Sequence, residues 1–219
     1  MSRRQPFAAY LFDLDGTLID SIALITSSFE HTLRTHHAAM PTNATLQSGF
    51  GTPLRTQLAK VARNPAEVEA MTATYREYHA THHDRLVQPY PGIREVVTIL
   101  RGLPVKLAIV TSKGRNATER GLRRCALDGL FDVIVTVDDV TEHKPHPAPV
   151  VEALRRLSAE PDDAVFIGDS PHDVESGRGA GVRTAAALWG PFSRESLAVH
   201  RPDYWLSHPE EIMTALGHV

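Results

Sequence analysis

The stretch Ala9-Tyr10-Leu11-Phe12-Asp13-Leu14-Asp15-Gly16-Thr17 decides the reading of the whole chain. Its first four residues are an unbroken apolar run, the pattern of a strand covered on both faces rather than one with a wet side. The same pattern returns at Leu107-Ala108-Ile109-Val110, at Val133-Ile134-Val135-Thr136-Val137 and at Ala164-Val165-Phe166-Ile167. Helical spacing fills the gaps: Ile93, Val96, Val97 and Leu100 share one helix face, as do Val150, Leu154 and Leu157. Strands alternating with helices predict an α/β chain, with a Rossmann-like doubly wound parallel sheet and right-handed crossovers. A weaker strand, Tyr204-Trp205-Leu206, is expected at a sheet edge, followed by a C-terminal helix.

The alternation is interrupted once. From Ser21 to Arg85 no strand pattern stands out, and capping or turn signals fall near Ser21, Thr42, Gly51-Thr52-Pro53 and Asn64-Pro65. That is too long for a crossover, so the expectation is an all-helical unit inserted after the first strand. The division reads as a core of residues 1–19 and 87–219 and a helical cap of residues 20–86. The second hinge lies near Pro89-Tyr90-Pro91-Gly92.

Composition bounds the partners. The chain has 219 residues, 42% of them hydrophobic and 22% charged, which is ordinary for a soluble globular protein. A net charge of −3 excludes the global basic field that nucleic acid or an anionic membrane selects. No apolar run approaches the roughly 18 residues of a membrane span. Met1-Ser2-Arg3-Arg4-Gln5 carries two arginines, but the apolar run after it is broken by Asp13 and Asp15, so no signal peptide is read and a cytoplasmic location is expected. Cys125 is the one cysteine and reads as a small buried hydrophobe. His79, His82 and His83 offer a metal-binding spacing, but read more simply as a solvated helix face.

The chemistry collects where the strands end. Ligand sites of open parallel sheets lie at the carboxyl ends of strands, which is where Asp13 and Asp15 fall. Followed by a glycine, two carboxylates at i and i+2 can converge on one ion and one substrate. Gly168-Asp169-Ser170-Pro171-His172-Asp173 brings two more after the fourth strand, with Asp169 or Ser170 also able to cap a helix. Four gathered carboxylates repel unless a cation holds them, and hard oxygen donors select Mg²⁺. Thr111-Ser112-Lys113 ends the second strand and offers a hydroxyl and backbone N–H groups to an anion. Lys144-Pro145-His146-Pro147 follows the third and supplies a point charge for a phosphate. All four segments follow strands of one sheet, so all four share one edge.

On these residues the chain resembles the haloacid dehalogenase superfamily of aspartate-nucleophile phosphatases. The matching motifs are Asp13-Leu14-Asp15-Gly16-Thr17-Leu18-Ile19-Asp20-Ser21, Thr111, Lys144-Pro145, and Gly168-Asp169-Ser170 with Asp173 and Ala180-Gly181. Within it the likeness is greatest to the phosphoglycolate phosphatase and bacterial inorganic pyrophosphatase group. Less specific segments support this: Ile25 to Phe29, Tyr75-Arg76 with His82-His83, and Phe131 to Val140.

The resemblance implies a Mg²⁺-dependent phosphatase acting on a small anionic phosphate, as a monomer or homodimer. It implies Asp13 as nucleophile, forming a phosphoaspartyl intermediate, and Asp15 as the acid and base. Mg²⁺ would be held by Asp13, the Asp15 carbonyl and Asp169, with Asp173 acting through water or by orienting Lys144. Thr111, Ser112 and Lys144 would receive the phosphoryl oxygens. In the cap, Arg55 would read a second anionic group, with Lys113 and Arg115 as further candidates on the core side. Asp15 argues against a dehalogenase, which has no leaving oxygen to protonate. A sugar-phosphate mutase and a non-catalytic interaction protein are the alternatives.

Overall fold

The computed structural model describes residues 7–217, so the reading of Met1–Gln5 lies outside the described residues. Strand β1, Ala9–Phe12, is the centre of the sheet, and each of its residues is fully buried. It pairs in parallel with β4, Lys106–Val110, on one side and with β6, Ala164–Gly168, on the other. Outside these run β5 (Val133–Val135), β7 (Arg183–Ala187) and β8 (Tyr204–Leu206), giving the parallel order β5-β4-β1-β6-β7-β8.

Helices cover both faces, which is why the central strands are apolar without alternation. On one face Tyr10, Phe12, Ile109 and Ile167 join Ile93, Val97 and Leu100 of α5, Ile93–Arg101, and Ile212 of the last helix. On the other, Leu11, Ala108, Val110 and Phe166 meet Val150, Leu154 and Leu157 of α7, Ala148–Leu157. Truncating Leu11 to alanine would cost about 2–5 kcal/mol, since it leaves a cavity in a fully covered layer. The other core helices are α6 (Arg115–Arg124), α8 (Pro171–Gly179), α9 (Arg194–Ala198) and α10 (Glu211–Ala215).

Two strand readings need correction. Val133–Val137 was expected to be buried on both faces, but β5 stops at Val135 and its first two residues are only half-buried. It is an edge strand, and the Asp139 carboxylate draws the next residue out of line by accepting from Thr136 N at 2.8 Å and Thr136 Oγ1 at 2.6 Å. Strand β7 was not foreseen. Its run Arg183-Thr184-Ala185-Ala186-Ala187 favours helix locally, and only its pairing with Val165–Gly168 makes it a strand.

The segment between β1 and α5 is helical: α1 (Ile22–Thr35), α2 (Asn43–Gln47), α3 (Leu54–Ala59) and α4 (Pro65–Leu86). Phe29, Leu33, Leu58, Met71 and Tyr75 give it a small core of its own. Asn64 starts α4 as expected, its side chain accepting from Glu67 N at 3.0 Å. The chain enters and leaves this segment through a two-stranded antiparallel ribbon, β2 (Ile19–Asp20) with β3 (Gln88–Pro89). Phe50 packs with Ala186, Phe192 and Leu197, so the helices lie over the carboxyl end of the sheet.

Candidate active site

Asp13 is still held by the sheet, since its N–H donates to Ile167 O at 2.9 Å. Its carboxylate therefore projects from the end of β1 on a rigid base. A tight turn follows, with Leu18 N and Ile19 N both bonded to Leu14 O at 2.9 Å. Gly16 enters it at φ +91°, and a Cβ there would stand 2.6 Å from Asp169 Oδ2. Only glycine lets the first motif and the end of β6 approach this closely. The contact is fixed by Thr17 Oγ1, which donates to Asp169 Oδ1 at 2.8 Å.

Lys144 crosses from the loop after β5 into the same place. Its Nζ lies 2.6 Å from Asp13 Oδ1 and 2.6 Å from Asp173 Oδ1, and the residue is 3% exposed. Asp173 is also the partner of a capping box at the start of α8. Its Oδ2 accepts from Ser170 N at 3.0 Å and Ser170 Oγ at 2.6 Å, while Ser170 Oγ accepts from Asp173 N at 3.3 Å. Helix capping and site building are thus the same residues.

Oxygens of Asp13, Asp169 and Asp173 come within 4.8 Å of one another. Three buried carboxylates against one ammonium leave two negative charges uncompensated. Burial pushes Asp13 up to about 7 despite Lys144, and burial with Asp173 and Asp13 alongside drives Asp169 well above the usual carboxylate range. Lys144 also loses solvation, but the charges of Asp13 and Asp173 raise it and keep it an ammonium. A hard divalent cation fits this donor set in charge and in oxygen chemistry.

Asp15 has a separate environment. Its Oδ1 accepts from Lys113 Nζ at 2.7 Å and from Ser21 Oγ at 2.5 Å. Burial alone would raise its carboxyl, but the Lys113 charge and these two hydrogen bonds outweigh it and hold the group below its ordinary value. Two carboxylates two residues apart are thus pushed in opposite directions, Asp13 toward its protonated form and Asp15 toward its ionised one.

Asp13, Asp15, Thr111, Lys113 and Asp169 open into one cavity of about 850 Å³ that runs beneath α4. Thr111 is 4% exposed, and its Oγ1 accepts from Lys113 N at 3.1 Å. Ser112 is at the same strand end, but its hydroxyl is spent on Gly51 O at 2.6 Å, so any anion there meets backbone rather than side chain. Arg115 also lines the cavity, but its guanidinium donates to Asp139 Oδ2 at 2.6 Å.

Arg55 has a partner of its own. It reaches the cavity wall, but its guanidinium is more than half exposed and forks onto Glu69 of α4. The histidine reading is reversed as well. His79 and His83 are 8% and 1% exposed, because α4 turns them onto the cavity and onto Gly121 of α6 rather than toward water. Sequence reasoning also missed Ser21, which occupies a helix N-cap position yet gives its hydroxyl to Asp15, and Trp189, whose Nε1 supports Thr17 O at 2.9 Å.

A family described as haloacid dehalogenase-like hydrolase matches residues 10–187. Pyrophosphatase PpaX of Bacillus cereus (strain G9842) is 40% identical over 209 residues, covering 95% of this chain and 96% of that protein. Among solved structures, a haloacid dehalogenase-like hydrolase from Streptococcus pneumoniae superposes with a TM-score of 0.81 at 27% identity, covering 95% of this chain and 98% of that one. A protein provisionally described as a phosphoglycolate phosphatase, from Lactobacillus plantarum, gives 0.83 at 28%, covering 96% and 99%.

Proposed function

The chain belongs to the haloacid dehalogenase-like hydrolases, and on that premise we propose that it is a Mg²⁺-dependent phosphatase working through a phosphoaspartyl intermediate on Asp13. Its substrate is a small phosphorylated metabolite, inorganic pyrophosphate or phosphoglycolate. Residues 20–86 act as its cap, above a core of residues 1–19 and 87–219.

The observation that carries this reading is the buried Lys144, bonded at 2.6 Å to Asp13 on one side and Asp173 on the other. Lys144 occupies Oδ1 of Asp13 and turns the nucleophile, leaving Oδ2 without a hydrogen-bond partner among the described residues. Oδ2 attacks phosphorus in line, and the leaving oxygen departs on the opposite side. Asp15 stands on the leaving side. The negative charge of a bound phosphate raises Asp15 against the pull of Lys113, so that it carries a proton to that oxygen and then takes one from the water that hydrolyses the phosphoaspartate. Thr111, the N–H groups beside Ser112, and Lys144 receive the phosphoryl oxygens.

Asp13, the Asp15 carbonyl and Asp169 would hold Mg²⁺, which screens the carboxylate nucleophile from an anionic substrate. Asp173 has both oxygens engaged, so its role is to position Lys144.

Phosphate release with Mg²⁺ from a panel of pyrophosphate, phosphoglycolate, sugar phosphates and nucleotides tests the proposal. Turnover of one of the first two is expected, and an inert enzyme across the panel would overturn it.

A further inference from the structure

Four consecutive residues in the loop after β7 touch the metal end of the site and then the cap. Trp189 is half-buried against the sheet core, and its Nε1 donates to Thr17 O at 2.9 Å. Thr17 in turn gives its hydroxyl to Asp169 Oδ1 at 2.8 Å, while Asp169 Oδ2 has no hydrogen-bond partner among the described residues. Gly190 lies against the same residue: a Cβ there would overlap Asp169 Cβ and stand 2.8 Å from Gly16 O. The Pro191 carbonyl accepts from Gln47 Nε2 at the end of α2, and Phe192 packs with Phe50 of the cap.

The segment has little slack. Leu188 N donates to Leu206 O at 2.9 Å and fixes its start to β8. Ser193 closes its end as the cap of α9, with its hydroxyl accepting from Ser196 N at 3.3 Å. The ring of Pro191 removes one of that residue's two backbone rotations. A shift of the Pro191 carbonyl is therefore passed to Gly190, which has no room to move toward Asp169 or Gly16. None of the four residues lines the cavity, so they act on the site through Thr17 and Asp169.

We propose that Trp189 to Phe192 form a strut between the cap and the cation site. Trp189 and Gly190 are positioning residues that set Asp169 Oδ2 for Mg²⁺. Gln47 and Phe50 hold the strut in place, so a seated cap raises the affinity for the cation. The proposal rests on the Mg²⁺ reading and adds this coupling to it. By linkage the coupling runs both ways, and a bound cation stabilises the seated cap by the same factor. Full cation affinity then coincides with a cap closed over substrate, the state in which the carboxylate nucleophile needs screening.

Thermal melts over a range of Mg²⁺ concentrations, without substrate, give the dissociation constant for the cation alone. Trp189→Phe keeps an aromatic ring and loses the Nε1 hydrogen. It should raise that constant about tenfold, the lower end of what the supporting partners of a metal ligand contribute. Gln47→Ala acts from the cap and should raise it about threefold or more, the loss of one hydrogen bond. Arg124→Ala is the control. Arg124 Nε donates to Asp84 O at 2.9 Å, a cap–core bond away from the strut, so its loss should leave the constant within about twofold. A brace that served stability alone would lower the melting point in chelator and leave the Mg²⁺ constant unchanged. An unchanged constant in Trp189→Phe or Gln47→Ala, or an equal rise in Arg124→Ala, overturns the proposal and spares the Mg²⁺ reading. A wild type whose melt ignores Mg²⁺ overturns both. Should Trp189→Phe not fold, amide hydrogen exchange of the wild type decides. Mg²⁺ should slow exchange at Phe50 and Thr52, whose N–H groups donate to Gln47 O at 2.9 Å and Gly49 O at 3.1 Å, and exchange there that ignores Mg²⁺ overturns the proposal.

Discussion

Lys113 Nζ lies 2.7 Å from Asp15 Oδ1 and ties the loop after β4 to the turn after β1. Both side chains are largely buried, so the pair is weakly screened. It gives the leaving side of the site one cation and one proton-transfer group in contact. Asp15→Asn keeps the shape and removes the proton transfer. Turnover of a substrate with a basic leaving oxygen should fall by roughly 10²–10⁴-fold. An aryl phosphate with an acidic phenol needs little protonation and should lose much less. Steady-state rates on the two substrates measure the difference.

Lys144 compensates two carboxylates at once, and none of the three is more than a few per cent exposed. Lys144→Met leaves those charges buried and unpaired. Loss of one partner from such a cluster costs about 3–5 kcal/mol. Denaturant unfolding without divalent cation should show a loss of that size, together with loss of activity.

Two uncompensated negative charges at Asp13, Asp169 and Asp173 predict that a divalent cation binds the folded chain and not the unfolded one. Adding Mg²⁺ at a hundred times its dissociation constant should stabilise the protein by about 2.7 kcal/mol. A thermal melt with Mg²⁺ against one with chelator reads this directly. In Asp169→Asn the difference should shrink.

Cys125 is 3% exposed, and burial pushes its thiol up to about 11. At pH 8 it stays protonated, and the thiolate is the reactive form. A thiol reagent should leave the folded enzyme untouched and titrate one thiol after denaturation. Cys125→Ala should retain activity.

Arg55 spends its planar fork on Glu69 in full contact with water. Arg55→Ala should therefore change the KM for pyrophosphate by less than about threefold, since exposed pairs like this contribute little. A larger rise would return Arg55 to the role its sequence position suggested.

Much of this is legible in the sequence, for a physical reason. A strand covered on both faces leaves an apolar run, and a site at its end leaves carboxylates just after it, so Ala9 to Asp15 carries fold and chemistry together. Lys144, Asp169 and Asp173 were legible because clustered buried charge is costly and rarely accidental. What escaped depends on tertiary contact. β7 is a strand only because β6 lies beside it, and Ser21 looks like an ordinary helix cap until Asp15 takes its hydroxyl. His79 and His83 were misread because α4 has weak amphipathic patterning, so its spacing does not say which face is covered. Arg55 was placed correctly near the cavity, but its spacing could not reveal Glu69 as the partner.

The central claim is a covalent bond to Asp13, and acid-quenched turnover with peptide mass analysis tests it most directly. The account predicts one phosphoryl group on the peptide containing Asp13 in the wild type, and none in a folded Asp13→Asn variant that has lost turnover. Phosphate release at the wild-type rate by Asp13→Asn, or the phosphoryl group on another residue, would contradict it.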